Sequence, residues 1–439
     1  MCQLKEGLFM KFIGLSFIFS SLVFASLPAR FDLRSVEGNS YVSRVKKQNG
    51  GTCWTHATMA ALESNLLLTG EWAKHEGSEE TDLAEYHLDW WNGFNQHHNP
   101  DASGGGLTVH QGGDYRVASA YMARGGAVRN KDAQSYSSAP KQFSDTYHTF
   151  YARHIEWLDA GPNLENIDAI KTALMDHGAM GTALHWSNSY YDSSSNSFYQ
   201  SPSSSRDANH AVAIVGWDDT KKTDAKNPGA WLIKNSWGTS WGDDGYFWIS
   251  YYDKVAGHHK EMGAVSFQNV ERLNYQRIYS HDIHGWRDTK TDTLEAFNAF
   301  TSGAVPGSRE TLRAVSFYTT EDATEYVVNV YGSFENGELK NLLSSHLGVQ
   351  ERKGFHTVDL DAPISLESGQ KFYIEVKLSR GGQAFDRTSN VPVLLGSSSR
   401  VTVKSKAAKG ESYYRKEGAW VDLNSFNDSA NFCIKALTN

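Results

Sequence analysis

The stretch "WLIKNSWGTSWGDDGYFWISY", residues 231–251, contains two apolar runs on either side of a glycine-containing turn segment. The runs at 230–234 and 245–251 are rich in aromatic and β-branched residues, which is typical of buried strands. Asn235 directly follows the first run, and Trp237 and Trp241 come next. The pattern predicts an amide side chain at the end of a strand, beside two indoles that can shield its hydrogen bonds from water.

His210 opens an earlier apolar run, "HAVAIVGWDD", which also predicts a strand. The chain has 17 histidines, and this position at the start of a predicted strand singles out His210 among them. The oxygen of an amide such as Asn235 can accept the ring N–H of a histidine and fix which nitrogen carries the proton. His210 and Asn235 are therefore predicted to act together.

Cys53 is one of three cysteines and lies in "GGTCWTHATMAALESNLLLTG", residues 50–70. The run at 55–68 is rich in Ala, Leu and Met and predicts a helix, with Cys53 at its first turn. The free N–H groups and the dipole of a helix N-terminus stabilise a thiolate. A thiolate at Cys53 and a protonated imidazole at His210 form a plausible nucleophile and acid–base pair.

Three of these motifs closely resemble the papain-like cysteine proteases: "CW" at 53–54, "NHAVAIVGW" at 209–217 and "NSWGTSWGDDGYFWIS" at 235–250. The resemblance implies that Cys53 is the nucleophile, His210 the general acid and base, and Asn235 the residue that orients the histidine. It implies hydrolysis of peptide bonds through an acyl-enzyme, with no metal and no organic cofactor.

The family also carries a glutamine before the nucleophile, whose side chain helps to form the oxyanion hole. Gln48 lies five residues before Cys53 (53 − 48), which is one residue closer than the usual family spacing. Flexible Gly50 and Gly51 can absorb this difference. We therefore expect Gln48 and the backbone N–H of Cys53 to hold the oxyanion.

The segment "QGGDYRVASAYM", residues 111–122, resembles the family's Gly-Gly turn, whose backbone pairs with an extended substrate. This implies substrate binding by Gly112 and Gly113. Trp237 is expected in the floor of the subsites beyond the scissile bond. The S2 pocket is expected around four further residues, Asp114, Tyr115, Ala208 and Asn209.

The patterning of the chain changes near residue 274. Before it, helical patterns at 83–91, 114–124 and 164–177 precede strand-like runs, which favours an α+β class. After it, short alternating runs such as "EYVVNVYGSF" predict an antiparallel β-sandwich.

Resemblance implies two domains for these two parts of the chain. Residues 26–266 are expected to form a papain-like catalytic domain with a helical lobe and a β-barrel-like lobe. Residues 267–439 are expected to form a jelly-roll-type, lectin-like domain like that of some bacterial cell-surface proteases.

Residues 1–25 read as a secretory signal peptide, because Lys11 precedes an apolar run at 12–24 and Val23-Phe24-Ala25 suits cleavage. That run is too short for a membrane span, so we expect no transmembrane segment in the mature protein. After cleavage, we expect the mature bacterial protein to be secreted, periplasmic or held at the cell envelope. The net charge of −8, without a basic stripe, argues against nucleic acid as a partner.

The remaining cysteines and histidines are interpreted as structural. Cys433 lies in "NFCIKAL" and alternates like a buried strand residue, although a bridge to Cys53 is conceivable. His97, His98 and His110 fit no compact zinc spacing, so no metal site is expected.

The expected partners are protein or peptide substrates and, through the C-terminal domain, a cell-surface glycan. Tyr413, Tyr414 and Trp420 are candidates to stack on a sugar and equally fit as ordinary strand aromatics. Two other functions remain open. One is a glycan- or surface-binding protein with a catalytically weak protease scaffold, and the other is an acyl-transferring transpeptidase, which shares the acyl-enzyme and differs in the acceptor.

Overall fold

The computed structural model describes residues 26–392 and 400–439. The predicted signal peptide at residues 1–25 lies outside the described residues. Within them, a helical region comes first in the chain, strands dominate the rest, and one long sheet runs through both parts.

The helices lie in the first half of the chain, as the sequence predicts. None of those in the described ranges combines the length and the apolar character that a bilayer crossing needs. Helix α1 is buried on nearly every side, so it is the central helix and has no polar face. The α-helices are α1 (Cys53–Thr69), α2 (Glu71–Glu76), α3 (Glu85–Trp91), α4 (Tyr115–Met122), α5 (Asn130–Ala133) and α6 (Ile167–His177).

The strands of the described residues range from 2 to 14 residues in length. They are β1 (Arg30–Asp32), β2 (Ala127–Val128), β3 (Thr149–Leu158), β4 (Met180–Leu184), β5 (Tyr191–Asp192), β6 (Ser197–Phe198), β7 (His210–Asp218), β8 (Ala230–Lys234), β9 (Tyr246–Ser250), β10 (Ala264–Arg272), β11 (Arg277–Tyr279), β12 (Asp288–Lys290), β13 (Glu295–Thr301), β14 (Arg309–Thr319), β15 (Thr324–Glu335), β16 (Glu338–Gln350), β17 (Gly354–Glu367), β18 (Lys371–Leu378), β19 (Gln383–Asp386), β20 (Ser389–Pro392), β21 (Arg400–Val403), β22 (Ser412–Lys416), β23 (Ala419–Asp422), β24 (Asn431–Phe432) and β25 (Lys435–Thr438).

The long sheet has the strand order β11-β25-β14-β17-β3-β10-β4-β7-β8-β9-β6-β5, with β1 beside β7 and β2 beside β3. A six-stranded sheet, β16-β15-β18-β13-β22-β23, forms the other layer of the C-terminal sandwich. Apolar side chains from both layers, among them Phe317, Val328 and Ile374, fill the space between them. This two-layer arrangement is the sandwich that the alternating runs predict.

Strand β3 joins the two parts of the chain. It pairs with β10 on one side and with β17 on the other, where Gly354 lies opposite Glu156 and His356 opposite His154. The predicted domain boundary at 266/267 falls within β10, which is one continuous strand from Ala264 to Arg272.

Candidate active site

The pairing of β7 with β8 brings His210 and Asn235 together. These antiparallel strands place Ala213 opposite Lys234, so the start of β7 lies beside the end of β8. His210 is the first residue of β7, and Asn235 directly follows β8. Nε2 of His210 donates a hydrogen bond to Oδ1 of Asn235 over 2.9 Å.

Trp237 covers this hydrogen-bonded pair. Its ring is stacked on the imidazole of His210, with the centroids 4.6 Å apart and an angle of 22° between the planes. Trp186 and Trp241 pack edge-on against Trp237 at 4.9 and 5.0 Å. These indoles restrict the access of water to the bond between His210 and Asn235, as the sequence predicts for Trp237 and Trp241.

Cys53 lies at the first turn of α1 and is fully buried. The backbone N–H groups of Ala211, Trp54 and Cys53 itself lie close enough to the sulfur to lower the pKa of the thiol. The thiol therefore lies beside the residue that follows His210. Among the hydrogen bonds of the described residues, none joins Sγ of Cys53 to the His210 ring.

Burial disfavours a charge on either side chain alone. It raises the pKa of the Cys53 thiol to about 11, and the three N–H groups at the sulfur offset only part of that rise. Burial also lowers the pKa of His210 to about 4, against the opposing effect of its hydrogen bond to Asn235. Burial thus favours the neutral form of each side chain while the other is neutral.

Gln48 is anchored beside Asn235. Its backbone N–H donates to the carbonyl oxygen of Ser236 over 2.8 Å, and its Oε1 accepts from Oγ of Ser236 at 2.6 Å. Its Nε2 donates to the carbonyl oxygen of Gly50 over 2.9 Å. An amide nitrogen has two hydrogens, so Gln48 keeps one N–H for an oxyanion.

The loop that leads into Cys53 lies beside the Gly-Gly turn at Gly112 and Gly113. Gly51 forms a parallel bridge with Gln111, and its N–H donates to the carbonyl oxygen of His110. Gly113 is packed on the indole of Trp54, where an added Cβ would come within 2.4 Å of the ring. The absence of a side chain at Gly113 is thus a packing requirement as well as a property of the expected substrate-binding turn.

The side chains of Asp114 and Tyr115, which are expected around the S2 pocket, both form hydrogen bonds inside the protein. Asp114 is buried and caps α4 by accepting the N–H of Val117 over 2.7 Å. Tyr115 is fully buried, and its hydroxyl donates to the carbonyl oxygens of Thr182 and Val212. Both side chains thereby hold α4 in place.

Ala208 and Asn209 lie beside His210 and are both half-buried. The amide of Asn209 pairs with the backbone of Trp186, accepting its N–H at 2.6 Å and donating to its carbonyl oxygen at 3.1 Å. Asn209 thereby holds Trp186 against Trp237. Ala208 packs at the edge of the core that contains Cys53 and Trp54.

A buried ionic network behind the site is not predicted from the sequence. Nζ of Lys46 lies 2.7 Å from Oε1 of Glu63 and 2.6 Å from carboxylate oxygens of Asp82 and Glu85. Lys234, directly before Asn235, donates to Oγ of Ser43, which also contacts Glu63. The sequence signal that could have indicated this network is Glu63, a charged residue within the apolar run of α1.

Glu63, Asp82 and Glu85 are close enough together to resemble a cation site. The ammonium group of Lys46 contacts all three carboxylates and supplies the positive charge that they require. The ion pairs with Lys46 therefore account for the clustering of these three carboxylates. Cys433 is a free, buried thiol, as is Cys53, so the two are not bridged.

Two family models match most of the chain. The model described as "Papain family cysteine protease" matches residues 27–264. The model described as "Lectin like domain" matches residues 278–438.

Curated relatives are similar over the first part of the chain. Procathepsin L of Rattus norvegicus is 29% identical over 240 residues, covering 53% of this chain and 63% of the relative. A cysteine protease of Blomia tropicalis is 23% identical over 258 residues, covering 57% of this chain and 67% of the relative. The chain thus spans about two thirds of the length of these relatives.

Solved structures match nearly the whole chain. The clostridial cysteine protease Cwp84 after propeptide cleavage is 25% identical with a TM-score of 0.71, covering 91% of this chain and 97% of that one. The protease and lectin-like domains of Cwp84, a surface layer associated protein of Clostridium difficile, are 23% identical with a TM-score of 0.73, covering 94% and 89%. The predicted α+β fold followed by a β-rich domain is confirmed. The chain belongs to the papain family of cysteine proteases and carries a lectin-like domain after its protease region.

Proposed function

We propose that this protein hydrolyses peptide bonds with Cys53 as nucleophile, His210 as general acid and base, and Asn235 as the residue that orients the imidazole. The observation that carries the proposal is the 2.9 Å bond from His210 to Asn235, next to a thiol at the N-terminus of α1. Membership of the papain family supports the same chemistry.

The hydrogen bond to Asn235 determines which ring nitrogen reacts. Because Nε2 of His210 donates to Oδ1 of Asn235, Nδ1 is the atom that can exchange a proton with Cys53. The thiol lies near the backbone of Ala211, the residue that follows His210, so a proton can pass between the two side chains once Cys53 and the ring are in contact. Burial makes each charge costly alone, so we expect the thiolate and the imidazolium to form together.

The catalytic cycle then follows from proton transfer. The Cys53 thiol gives its proton to Nδ1 of His210, and the thiolate attacks the substrate carbonyl carbon to form a C–S bond. The oxyanion is held by the N–H of Cys53 and the free N–H of Gln48. The imidazolium protonates the leaving amine as the C–N bond breaks. His210 then takes a proton from water as the water oxygen attacks the thioester carbon. The C–S bond breaks, the acid product is released, and the imidazolium returns its proton to the Cys53 thiolate.

A thiol-directed epoxide inhibitor tests the proposal. We expect mass spectrometry to locate the adduct on Cys53 and not on Cys433, the other free thiol of the described residues, with loss of peptide cleavage in parallel. Cys53→Ala should abolish cleavage, whereas Cys433→Ala should retain it. Absence of labelling and of cleavage in the unmodified protein would favour the glycan- or surface-binding alternative with a weak protease scaffold.

Product analysis separates hydrolysis from acyl transfer. With a peptide substrate and an added primary amine, hydrolysis predicts the free carboxylic acid as the main product. A predominance of the amide at low amine concentration would instead support the transpeptidase alternative.

We also propose that the lectin-like domain binds a cell-surface glycan on the outer face of the six-stranded sheet. There, Tyr413 stacks on Phe297 at 4.6 Å and Trp420 packs edge-on at 4.8 Å. Both are half-buried and can offer ring surface to a sugar, whereas Tyr414 is buried beneath Lys290.

Calorimetry of the full chain against a panel of cell-wall and host glycans tests glycan binding. Trp420→Ala should weaken binding, and Phe426→Ala, an exposed aromatic away from that face, should not. Equal affinities in the two variants, or no binding to any glycan, would overturn this proposal.

Export is the third part of the proposal. The lysine and apolar run at 11–24 support cleavage after Ala25. N-terminal sequencing of the protein from a culture medium or envelope fraction should begin at Ser26. An uncleaved N-terminus in the cytoplasmic fraction would contradict it.

A further inference from the structure

A narrow cavity lies directly behind Asn235, between α1 and the strands β7 and β8. About 10 Å³ of it is open to the centre of a water molecule, which is close to the space that one water requires. His56 lines the cavity from the α1 side, and Asn235 and Ser236 line it from the β8 side. His56 follows Cys53 by one helical turn and is itself buried.

The proton position on His56 follows from its partner. Nδ1 of His56 lies 2.8 Å from the carbonyl oxygen of Thr52, and a carbonyl oxygen can only accept. Nδ1 therefore carries the hydrogen, and Nε2 of the neutral ring holds a lone pair. Burial lowers the pKa of His56, which keeps the ring neutral. No hydrogen bond within the described ranges reaches Nε2, and His56 lines the cavity.

Asn235 offers the matching donor. Its Oδ1 accepts from Nε2 of His210 and from the N–H of Ser236, at 2.9 and 2.8 Å. Its Nδ2 is buried and has no partner among the described residues. A buried amide N–H without an acceptor lowers the stability of the folded protein. The opposite orientation of the amide would present its N–H groups, instead of Oδ1, to Nε2 of His210.

We propose that His56 is a positioning residue for the catalytic pair, acting through one water molecule in this cavity. The water accepts a hydrogen bond from Nδ2 of Asn235 and donates one to Nε2 of His56. This bridge fixes the amide orientation in which Oδ1 faces His210. The inference rests on the proposed protease function and adds a residue to its machinery.

The charged groups around the cavity are consistent with this bridge. Lys46, Glu63 and Lys234 also line it, and Glu85 lies next to Lys46. The carboxylates of Glu63 and Glu85 are engaged by Lys46, so they do not compete for the water. Nζ of Lys234 donates to Ser43 and has further N–H groups that can also reach the water.

Three substitutions of His56 separate positioning from packing. His56→Phe keeps an aromatic ring but removes both nitrogens. His56→Asn places an amide near the Nδ1 position and cannot reach the cavity, whereas His56→Gln places one near Nε2. We expect His56→Phe and His56→Asn to lower kcat about tenfold with little change in KM, because each variant loses one hydrogen bond. His56→Gln should retain most of the wild-type kcat.

The pH profile gives a second readout that a packing role would not move. Poorer orientation of Asn235 destabilises the imidazolium of His210, so the acid limb of kcat/KM, which reports protonation of His210, should shift to lower pH in His56→Phe and His56→Asn. His56→Gln should retain the wild-type limb. His75→Phe, at an exposed histidine of α2, is the matched control and should leave both kcat and the profile unchanged.

The two proposals fail in different ways. If the wild-type protein neither reacts with the epoxide nor cleaves peptide, the proposed function itself is wrong. If the wild type is active and His56→Phe retains its kcat and pH profile, the positioning role of His56 is wrong. Equal losses in His56→Gln and His56→Phe, with lowered thermal stability in both, would show that His56 only packs.

Discussion

His210 and Asn235, 25 residues apart in the chain, are joined by a 2.9 Å hydrogen bond from Nε2 to Oδ1. The bond occupies Nε2 and leaves Nδ1 for the proton exchange proposed with Cys53. It is possible because β7 begins at one residue of the pair and β8 ends just before the other. The pairing of two strands thus decides which nitrogen of the histidine is free to move a proton.

Asn235→Ala should reduce kcat by about 10- to 100-fold with little effect on KM, because a hydrogen bond to a charged group contributes roughly 1.5–3 kcal/mol. Steady-state kinetics on a peptide substrate measure the effect. Asn163→Ala, at an exposed loop position, is the control. A variant with wild-type kcat would show that the imidazole needs no orienting partner.

Gln48 should contribute to oxyanion binding through its remaining N–H. Gln48→Ala and Gln48→Glu should both lower kcat by about 10²–10³-fold, since neither supplies that donor. Glu keeps the length of the side chain and an oxygen for Ser236, so it separates the donor from the anchoring contact. If Gln48→Glu retains full kcat while Gln48→Ala does not, the residue is only an anchor for Ser236.

Gly113→Ala should destabilise the protein by about 1–3 kcal/mol and raise KM, because its Cβ would meet the ring of Trp54. Urea unfolding and peptide kinetics measure the two effects. Gly125→Ala provides a control, since an added Cβ there has nothing within 4 Å. Equal stability of the two variants would mean that the Trp54 ring can move aside.

Lys46→Met should cost about 3–5 kcal/mol of unfolding free energy, because it leaves buried carboxylates without their cation. Lys131→Met is the matched control, since Lys131 is an exposed lysine that pairs with an exposed Glu79. Its unfolding free energy should stay at the wild-type value. A small effect at Lys46 would mean that Glu63 and Glu85 are neutral in the folded protein.

His154 and His356 should make the junction of the two domains sensitive to acid. The Nδ1 atoms of the two rings lie 3.2 Å apart. Nε2 of His356 donates to the carbonyl oxygen of Arg352, so Nδ1 of the neutral His356 ring accepts the hydrogen on Nδ1 of His154. Burial lowers the pKa of His154 to about 4 and that of His356 well below its usual range.

The sign of the pH effect follows from these lowered pKa values. Between about pH 6.5 and pH 4 the unfolded chain binds protons that folded His154 does not, so the unfolding free energy falls as pH falls. His154→Asn keeps an N–H donor without titrating, and should show a smaller loss across this range. His75→Gln, at an exposed site, should follow the wild type. A wild-type slope in His154→Asn would exclude this histidine as a cause.

The sequence predicts those parts of the site that lie at element ends. Cys53 opens a helix, His210 opens a strand and Asn235 follows one, and each has a recognisable apolar run beside it. Side-chain direction is harder to predict. Tyr115 was expected in a substrate pocket, yet its hydroxyl bonds to strands β4 and β7, which are distant in the sequence.

Strand β3 was missed for a related reason. The alternation of apolar and polar residues in β3 is interrupted by Arg153, His154 and Glu156. Burying these side chains in a sheet costs free energy unless each finds a polar or charged partner. The partners come from far along the chain: Glu271 and Asp359 for Arg153, His356 for His154, and Gln268 for Glu156. A local pattern carries no information about contacts over such separations.

The ladder between β3 and β17 also limits how the chain can be shortened. A truncation after Arg272 removes β17, so the backbone N–H and C=O groups of β3 that face Gly354 and His356 become a bare sheet edge. Such edges recruit strands from other molecules. The shortened protease region should therefore self-associate, and a stable single-domain version would need charged or proline substitutions along that rim.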